Sequence, residues 1–253
     1  MMSRVAPRLH RQASVRPASV VCRGVSRLVW RRAGPVASVA TQASIAALTF
    51  DDGPDPDATP AVLDILARHR ARATFFMVGR MAQRHPRTMA EVVRAGHAVG
   101  NHSWGHRALS SLPPRERRSE IRAGHQALAP HAARLLRPPY GAMNRRLSLD
   151  AWRLGHTVVA WSVDVGDWWN PDAAAMADGL ARRVTAGSIV LLHDVLTVHD
   201  ARGIGRPLTH RQHPDRRAMQ AALDEFLRGA GRRFRFVTLP ELLRGGPPIR
   251  RSW

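Results

Sequence analysis

Apolar runs alternate with amphipathic segments along the chain from residue 45 onward. Seven short runs have the length and composition of buried strands, and they cover residues 45–48, 73–78, 97–99, 135–136, 157–163, 188–192 and 234–238. The segments between and after them predict helices that begin near residues 59, 86, 115, 145, 170, 216 and 240. This alternation is typical of parallel strands with crossover helices, so we predict an α/β fold, either a barrel or an open doubly wound sheet.

Two adjacent carboxylates, Asp51 and Asp52, follow the first predicted strand, in the stretch Thr-Phe-Asp-Asp-Gly-Pro. Both candidate folds gather ligand chemistry at the carboxyl ends of their strands. Neighbours in an extended strand point to opposite sides, so the two acids need separate partners, or one of them binds a cation. A solvated turn is an equally good interpretation of this pair alone, because Asp and Gly are ordinary turn residues.

Two histidines, His102 and His106, follow the third predicted strand. They are four positions apart, and a helical turn would bring both imidazoles to one side, as a metal site requires. Surface or capping histidines are the alternative interpretation, since the chain has 13 His. Together with one Asp, the pair would provide three nitrogen and oxygen ligands with a position left open, which is the pattern of a catalytic zinc site.

Three later strands also end in residues that can titrate, coordinate or orient. They are Arg137 and Tyr140 after the fourth strand, Asp164, Asp167 and Trp168 after the fifth, and Leu191, His193 and Asp194 in or after the sixth. Each group alone has a plain structural interpretation, such as a rigid proline turn, a helix cap or a satisfied strand-end histidine. Their joint position at strand ends favours one common site.

Five short motifs in order resemble those of the polysaccharide deacetylases of carbohydrate esterase family 4, the NodB homology domain. They are TFDDG at 49–53, HSWGH at 102–106, RPPYG at 137–141, DVGDW at 164–168 and LLH at 191–193. The resemblance spans residues 45–243, and the ordered set is highly specific. It implies a distorted (β/α)7 barrel, which agrees with the seven predicted strands.

The resemblance implies a metal centre with a general base beside it. Asp52, His102 and His106 would bind one divalent metal ion, zinc in the first place, with cobalt or another divalent ion as alternatives. Asp51 would be the general base, and Arg137 would hold it ionised and oriented.

The resemblance also implies a general acid and a substrate pocket. His193 would be the acid, oriented and charged by Asp167. Trp168 and Leu191 would line the pocket for the acetyl methyl group, and the backbone N–H of Tyr140 would stabilise the oxyanion.

The implied reaction is metal-dependent hydrolysis of N-acetyl groups from an N-acetylglucosamine-containing oligo- or polysaccharide, of the chitin-oligosaccharide or peptidoglycan type. An O-acetyl ester hydrolase acting on acetylated polysaccharide would use the same residues. A non-catalytic basic protein that binds anionic polymers is a third hypothesis, from another functional class. The sequence leaves the choice among acetylated substrates open.

The formal net charge is +20, and all 39 residues in the Lys and Arg class are arginine. The arginines are scattered and few aromatic residues lie between them, so they indicate genome base composition rather than a nucleic-acid surface. We therefore expect no specific nucleic-acid partner, and we expect a monomer. The arginine- and histidine-rich loop at residues 195–214 is predicted to be solvated, with substrate contact as the alternative.

Residues 1–44 contain eight arginines and no acidic residue. We predict a basic, disordered segment there and a catalytic domain at residues 45–253; a targeting peptide and translated sequence upstream of the true start are the alternatives. No apolar run is long enough for a clear signal peptide or a transmembrane helix, so the location stays open between the cytoplasm and export by a less obvious signal. A single cysteine, Cys22, excludes an intramolecular disulfide and a cysteine-based metal site.

Overall fold

The computed structural model describes residues 32–199, 205–207 and 215–251 of the chain. The strands in this part are β1 (Val36–Val39), β2 (Ile45–Asp51), β3 (Ala73–Met77), β4 (Ala98–Asn101), β5 (Ala132–Leu136), β6 (Thr157–Val158), β7 (Val163–Asp164), β8 (Ile189–His193), β9 (Thr197–His199), β10 (Gly205–Pro207), β11 (Arg235–Phe236) and β12 (Pro248–Arg250). The α-helices described over their whole extent are α1 (Ala58–Arg68), α2 (Gly79–Arg84), α3 (Pro86–Arg94), α4 (Pro114–Ala127), α5 (Arg145–Arg153), α6 (Ala173–Arg183), α7 (Arg217–Ala230) and α8 (Leu239–Arg244).

The central sheet is parallel and follows the order β6-β5-β4-β3-β2-β8-β7, with β11 paired to the start of β2. β6 and β7 lie at opposite edges of this sheet, although both belong to one segment of the chain, residues 157–164. This segment therefore crosses from one edge to the other, and the sheet curls into a half-barrel. The predicted α/β fold, a distorted (β/α)7 barrel, is confirmed.

The predicted fifth strand is divided into β6 and β7. Thr157 pairs with Leu135 of β5, whereas Val163 pairs with Val190 of β8. The chain changes neighbours between these positions, so the apolar run cannot continue as one ladder. Helix α2 was not predicted from the sequence. No side chain caps its N-terminus, and Gly79 is a poor helix former.

β1 lies within the segment that the sequence analysis assigned to disorder. Val36 and Val39 are buried, and β1 pairs antiparallel with β12 from the other end of the chain. The compact unit that contains the sheet starts at Ala33, ahead of the domain start predicted at Ile45. A local pattern cannot reveal this strand, because its burial depends on a partner that is distant in sequence.

Some predicted features lie outside the described residues. They include the disorder of residues 1–31, Cys22, and much of the loop at 195–214. Within that loop the structure describes β9 and β10, which pair antiparallel. Among the residues that are described, no helix is both long and apolar enough to cross a membrane.

Side chains of β2 alternate between two apolar clusters. Leu48 and Phe50 pack in the larger cluster with residues of α1, α6 and α7, whereas Ala47 packs in a second cluster. Thr49 and Asp51 lie on the same side of β2 as Ala47, because side chains alternate with a period of two along a strand. The strand therefore carries Asp51 on the inner side of the curl, at the carboxyl end where barrels of this kind hold their active sites.

Candidate active site

Asp51 ends β2 and forms a buried ion pair with Arg137, which follows β5. Arg137 Nη1 donates to Asp51 Oδ1 and to Thr49 Oγ1, each at 2.7 Å. Its Nη2 donates to the carbonyl of Ala160 at 3.2 Å, and the guanidinium lies 4.3 Å from the ring centre of Phe76. Burial lowers the pKa of Arg137, and the carboxylate of Asp51 opposes that shift. A buried guanidinium needs an anion beside it, so the pair fixes the position of Asp51.

Asp52, the next residue, lies beside two histidines of the loop after β4. Its Oδ1 is 3.2 Å from His102 Nε2 and 3.0 Å from His106 Nε2, and all three side chains are buried. One ligand atom from each residue lies within 4.8 Å of the other two. Burial raises the pKa of Asp52, but His106 and His102 outweigh burial and hold this pKa well below its usual value. The cluster presents one anionic oxygen and two imidazole nitrogens together.

These three residues fit a divalent metal ion. A carbonyl oxygen only accepts, so His102 Nδ1 donates to the carbonyl of Arg137 at 2.8 Å, and Nε2 is the ring nitrogen on the side of Asp52 that could bind a metal ion. Metal-binding histidines are commonly oriented by such a bond from the other ring nitrogen. Two imidazole nitrogens and one carboxylate oxygen, with a further position open, are the donor set of a catalytic zinc site.

The two histidines converge through a bent loop, not through the helical turn that their spacing suggested. Ser103 and His106 have φ angles of 66° and 56°, in the left-handed region that non-glycine residues rarely adopt. Ser103 Oγ accepts from the backbone N–H of His106 at 3.0 Å, and Asn101 Oδ1 accepts from the N–H of Ser103 at 2.9 Å. Strained backbone of this kind persists where surrounding contacts hold it, and it gathers at functional sites.

Helix α4 holds the same loop from outside. The backbone N–H of Gly105 donates to Glu120 Oε2 at 2.8 Å, and the N–H of Trp104 donates to the carbonyl of Glu120 at 3.1 Å. Glu120 is buried. The sequence analysis gave Glu120 no role, because a glutamate in a charged helix is usually a solvated residue.

His193 ends β8 and is paired with Asp167. His193 Nδ1 lies 3.0 Å from Asp167 Oδ1, and the N–H of His193 donates to Asp167 Oδ2 at 2.9 Å. Burial lowers the pKa of His193, but Asp167, followed by Asp52 and Asp51, outweighs burial and raises this pKa to about 9. The imidazole is therefore protonated at neutral pH and carries its second proton on Nε2.

Arg216, just before α7, donates hydrogen bonds to both residues of this pair. Its Nη1 donates to the carbonyl of Asp167 at 2.8 Å, and its Nη2 donates to Asp167 Oδ2 and, at 2.7 Å, to the carbonyl of His193. Burial raises the pKa of Asp167, yet His193 and Arg216 outweigh it and lower this pKa. The sequence analysis missed Arg216, because nothing local distinguishes it within an arginine-rich chain.

Asp194 supports the loop that carries Asp52. The N–H of Gly53 donates to Asp194 Oδ1 at 3.2 Å, and Thr59 Oγ1 donates to Asp194 Oδ2. A side chain at Gly53 would place its Cβ 2.3 Å from Asp194 Oδ2, so this position requires glycine. Burial, with further contributions from Asp52 and Asp55, raises the pKa of Asp194 to about 7.

The remaining predicted residues border these groups. Tyr140 is half exposed and its hydroxyl lies 3.0 Å from His106 Nδ1. Leu191 is buried in β8, in register with Thr49 of β2. Trp168 follows Asp167 and is half exposed.

The predicted site residues thus form two groups. Direct contacts join Asp51, Asp52, His102, His106, Arg137 and Tyr140 in one group and Asp167 and His193 in the other. The register of β2 and β8 sets Asp51 beside His193, so the two groups are neighbours. Asp164, by contrast, accepts from the N–H of Gly166 at 2.8 Å and so stabilises the turn that follows it.

Comparison with known proteins agrees with this geometry. Residues 38–159 match the family model described as polysaccharide deacetylase. The chain is 36% identical over 205 residues to a peptidoglycan-N-acetylglucosamine deacetylase from Bacillus cereus, covering 79% of this chain and 88% of the relative. It is 40% identical over 151 residues to a chitooligosaccharide deacetylase from Sinorhizobium fredii, covering 58% and 70%.

A solved structure has the same fold. It is that of a peptidoglycan N-acetylglucosamine deacetylase in complex with 4-naphthalen-1-yl-N-oxidanyl-benzamide, and it superposes with a TM-score of 0.74 and 28% identity over 90% of this chain and 99% of that chain. The family model and the relatives place the chain in the class of polysaccharide-modifying hydrolases. The chain belongs to the polysaccharide deacetylase family. The predicted family and enzyme class are therefore confirmed.

Proposed function

We propose that this protein removes N-acetyl groups from N-acetylglucosamine-containing oligo- or polysaccharides in a metal-dependent reaction. The observation that carries the proposal is the position of a carboxylate, Asp51, and an imidazole, His193, at the ends of neighbouring strands next to the Asp52 cluster, each held by a buried ion-pair partner. Amide hydrolysis needs both a base for the attacking water and an acid for the departing amine. The names of the two curated relatives support the substrate class.

Asp52, His102 and His106 would hold one divalent ion, zinc in this proposal, which when bound supplies Lewis acidity toward the acetyl carbonyl and lowers the pKa of water. Asp51 would accept a proton from the attacking water. Its Oδ1 is engaged by Arg137, whereas its Oδ2 lies 4.0 Å from His102 Nε2, on the side of the proposed ligands. Arg137 thus leaves one oxygen of the base for the reaction.

His193 would donate its Nε2 proton to the nitrogen of the departing amine. Its Nδ1 is engaged by Asp167, so the ring is oriented and Nε2 is the nitrogen left for the substrate. A pKa of about 9 keeps this proton in place at neutral pH. Without protonation, the tetrahedral intermediate would expel the attacking oxygen instead of the amine.

Three further residues complete the proposed pocket. The backbone N–H of Tyr140 would donate to the oxyanion, and preorganised donors of this kind are worth roughly 10²- to 10³-fold in rate. Trp168 and Leu191 would surround the acetyl methyl group. The position of Tyr140 beside His106 supports the first role, because it brings the same turn next to the proposed ligands.

The test is acetate release from N-acetylated chito-oligosaccharides and, in parallel, from O-acetylated xylan, at equal concentrations of acetyl groups. We expect release from the amide substrate by the wild-type protein and loss of that release in His193→Ala. Release from the ester alone would favour the O-acetyl esterase alternative. No release from either substrate, together with salt-sensitive polyanion binding that survives loss of the ligand residues, would favour the binding-protein alternative.

A further inference from the structure

Large exposed apolar side chains are few among the described residues, and several of them border the active site. They are Tyr140, Trp152, Trp168, Trp169 and Ile249. Trp169 is the most exposed of these, with 66% of its surface accessible. Tyr140, Trp168 and Trp169 lie on the two loops that carry Arg137 and Asp167. Contiguous exposed apolar surface in a folded protein usually marks a place where something binds.

Backbone hydrogen bonds close the turn that carries Trp169. The N–H of Trp169 donates to the carbonyl of Gly166 at 3.0 Å, and the N–H of Asn170 donates to the same oxygen at 2.8 Å. Gly166 has a φ angle of 69°, and a Cβ at Gly166 would lie 2.4 Å from Trp169 Nε1. The ring therefore lies close to the glycine backbone on one side, and most of its remaining surface is accessible to a ligand.

The surface of Trp169 continues that of Trp168. The two ring centres are 6.3 Å apart and the rings meet edge to face, at 73°. Trp168 is 51% exposed and directly follows Asp167, which is bonded to His193. The aromatic surface thus begins next to the proposed acid and extends away from it along the chain.

We propose that Trp169 is a stacking platform for a second sugar ring, next to the ring whose acetyl group is removed. This inference rests on the proposed function and deepens it, because it assigns a residue of this chain to the sugar unit next to the one that is deacetylated. The axial C–H bonds of a pyranose ring form an apolar face, which packs flat on an indole while the hydroxyl groups stay in water. Trp168 serves the acetyl group and Trp169 serves the neighbouring sugar.

A sugar ring fits this surface better than a protein partner does. Two indoles offer an area of about one or two pyranose rings, far below the roughly 1,200 Å² that a stable protein interface buries. The surface is also continuous with the residues proposed to act on an acetylated sugar.

The test compares chain-length preference in matched variants. We measure kcat/KM for deacetylation of N-acetylglucosamine chains of two and five units by the wild type, Trp169→Ala, Trp169→Phe and Trp152→Ala. We expect the ratio of kcat/KM for five units to that for two units to fall by roughly 10- to 30-fold in Trp169→Ala, as is usual for an aromatic anchor. Trp169→Phe should restore most of this ratio.

Trp152→Ala is the matched control, because Trp152 is an exposed tryptophan in the last turn of α5 and outside both active-site loops. It should leave the ratio unchanged. An unaltered ratio in Trp169→Ala, with an active wild type that prefers the longer chain, would overturn the platform. A wild type that deacetylates neither chain would instead overturn the proposed function, so the two failures are distinguishable.

Discussion

The site contains two buried carboxylate pairs that differ in the cation beside the carboxylate. Asp51 is paired with Arg137, whose guanidinium keeps its charge over the physiological pH range. Asp167 is paired with His193, whose imidazole loses its proton near pH 9. A fixed cation suits a carboxylate that must stay ready to accept a proton, whereas a titratable cation suits a carboxylate whose partner must donate one.

The two pairs also differ in how far they are exposed to solvent. Arg137 is enclosed by Thr49, Ala160 and Phe76, and none of its surface is accessible. His193 retains 14% side-chain exposure, and the chain that follows its partner Asp167 carries the exposed Trp168 and Trp169. The proposed base is therefore enclosed within the barrel, whereas the proposed acid lies at its more exposed edge.

The largest expected effect comes from removing the base. Asp51→Asn keeps the shape of the side chain but cannot accept the proton, so kcat should fall by roughly 10²- to 10⁴-fold. Acetate release from chitopentaose measures this, and zinc content per chain is measured on the same samples. Zinc content should stay at the wild-type value, since Asp51 is not one of the proposed ligands. Near wild-type turnover in Asp51→Asn would show that another group is the base.

The next largest effect is a loss of folding stability, which should differ between variants of Arg137 and Arg216. Arg137→Met leaves the buried Asp51 without its partner and should lower the free energy of unfolding by about 3–5 kcal/mol. Arg216→Met leaves Asp167 still bonded to His193, so we expect a smaller loss, about 1–3 kcal/mol. Urea denaturation followed by circular dichroism measures both. Equal losses in the two variants would contradict the view that only Asp51 depends on a single cation.

The smallest expected effect is a change in pH dependence. Asp167→Asn removes the negative charge that outweighs burial, so the pKa of His193 should fall below about 9. An acid must be protonated to act, and the alkaline decline of kcat/KM should therefore begin at lower pH. Activity measured from pH 6 to 10 records this shift.

Arg216→Met is the matched control for that shift. It removes a positive charge beside the imidazole, so the alkaline decline should move to higher pH, opposite to Asp167→Asn. A decline at the same pH in both variants and the wild type would remove His193 from the role of proton donor.

The strand-end residues of the site were predictable from sequence for a physical reason. Parallel strands bring their carboxyl ends to one edge, so the alternating pattern placed Asp51 and His193 at the same edge of the sheet. Their direct adjacency comes from the strand order, which the pattern does not determine. Donor chemistry predicted that one carboxylate would join His102 and His106, and the family resemblance identified it as Asp52. The loop that brings these residues together is strained and not helical.

Other parts of the site could not be predicted, because they depend on contacts between distant segments. Arg216 lies 49 positions from Asp167, and only the fold brings them together. The sequence around Glu120 is that of a solvated residue in a charged helix, and only the fold brings the N–H of Gly105 to its carboxylate. The burial of Val36 likewise depends on β12, which is at the opposite end of the chain.

We propose that Asp52, His102 and His106 bind a metal ion on which turnover depends. The direct measurement is a zinc titration of protein stripped with a chelator, recording bound zinc and acetate release from chitopentaose together. We expect activity to rise in proportion to bound zinc up to one ion per chain. Under the same conditions, His102→Ala should bind little zinc and release little acetate. Full activity in the metal-free protein, or undiminished zinc binding by His102→Ala, would contradict it.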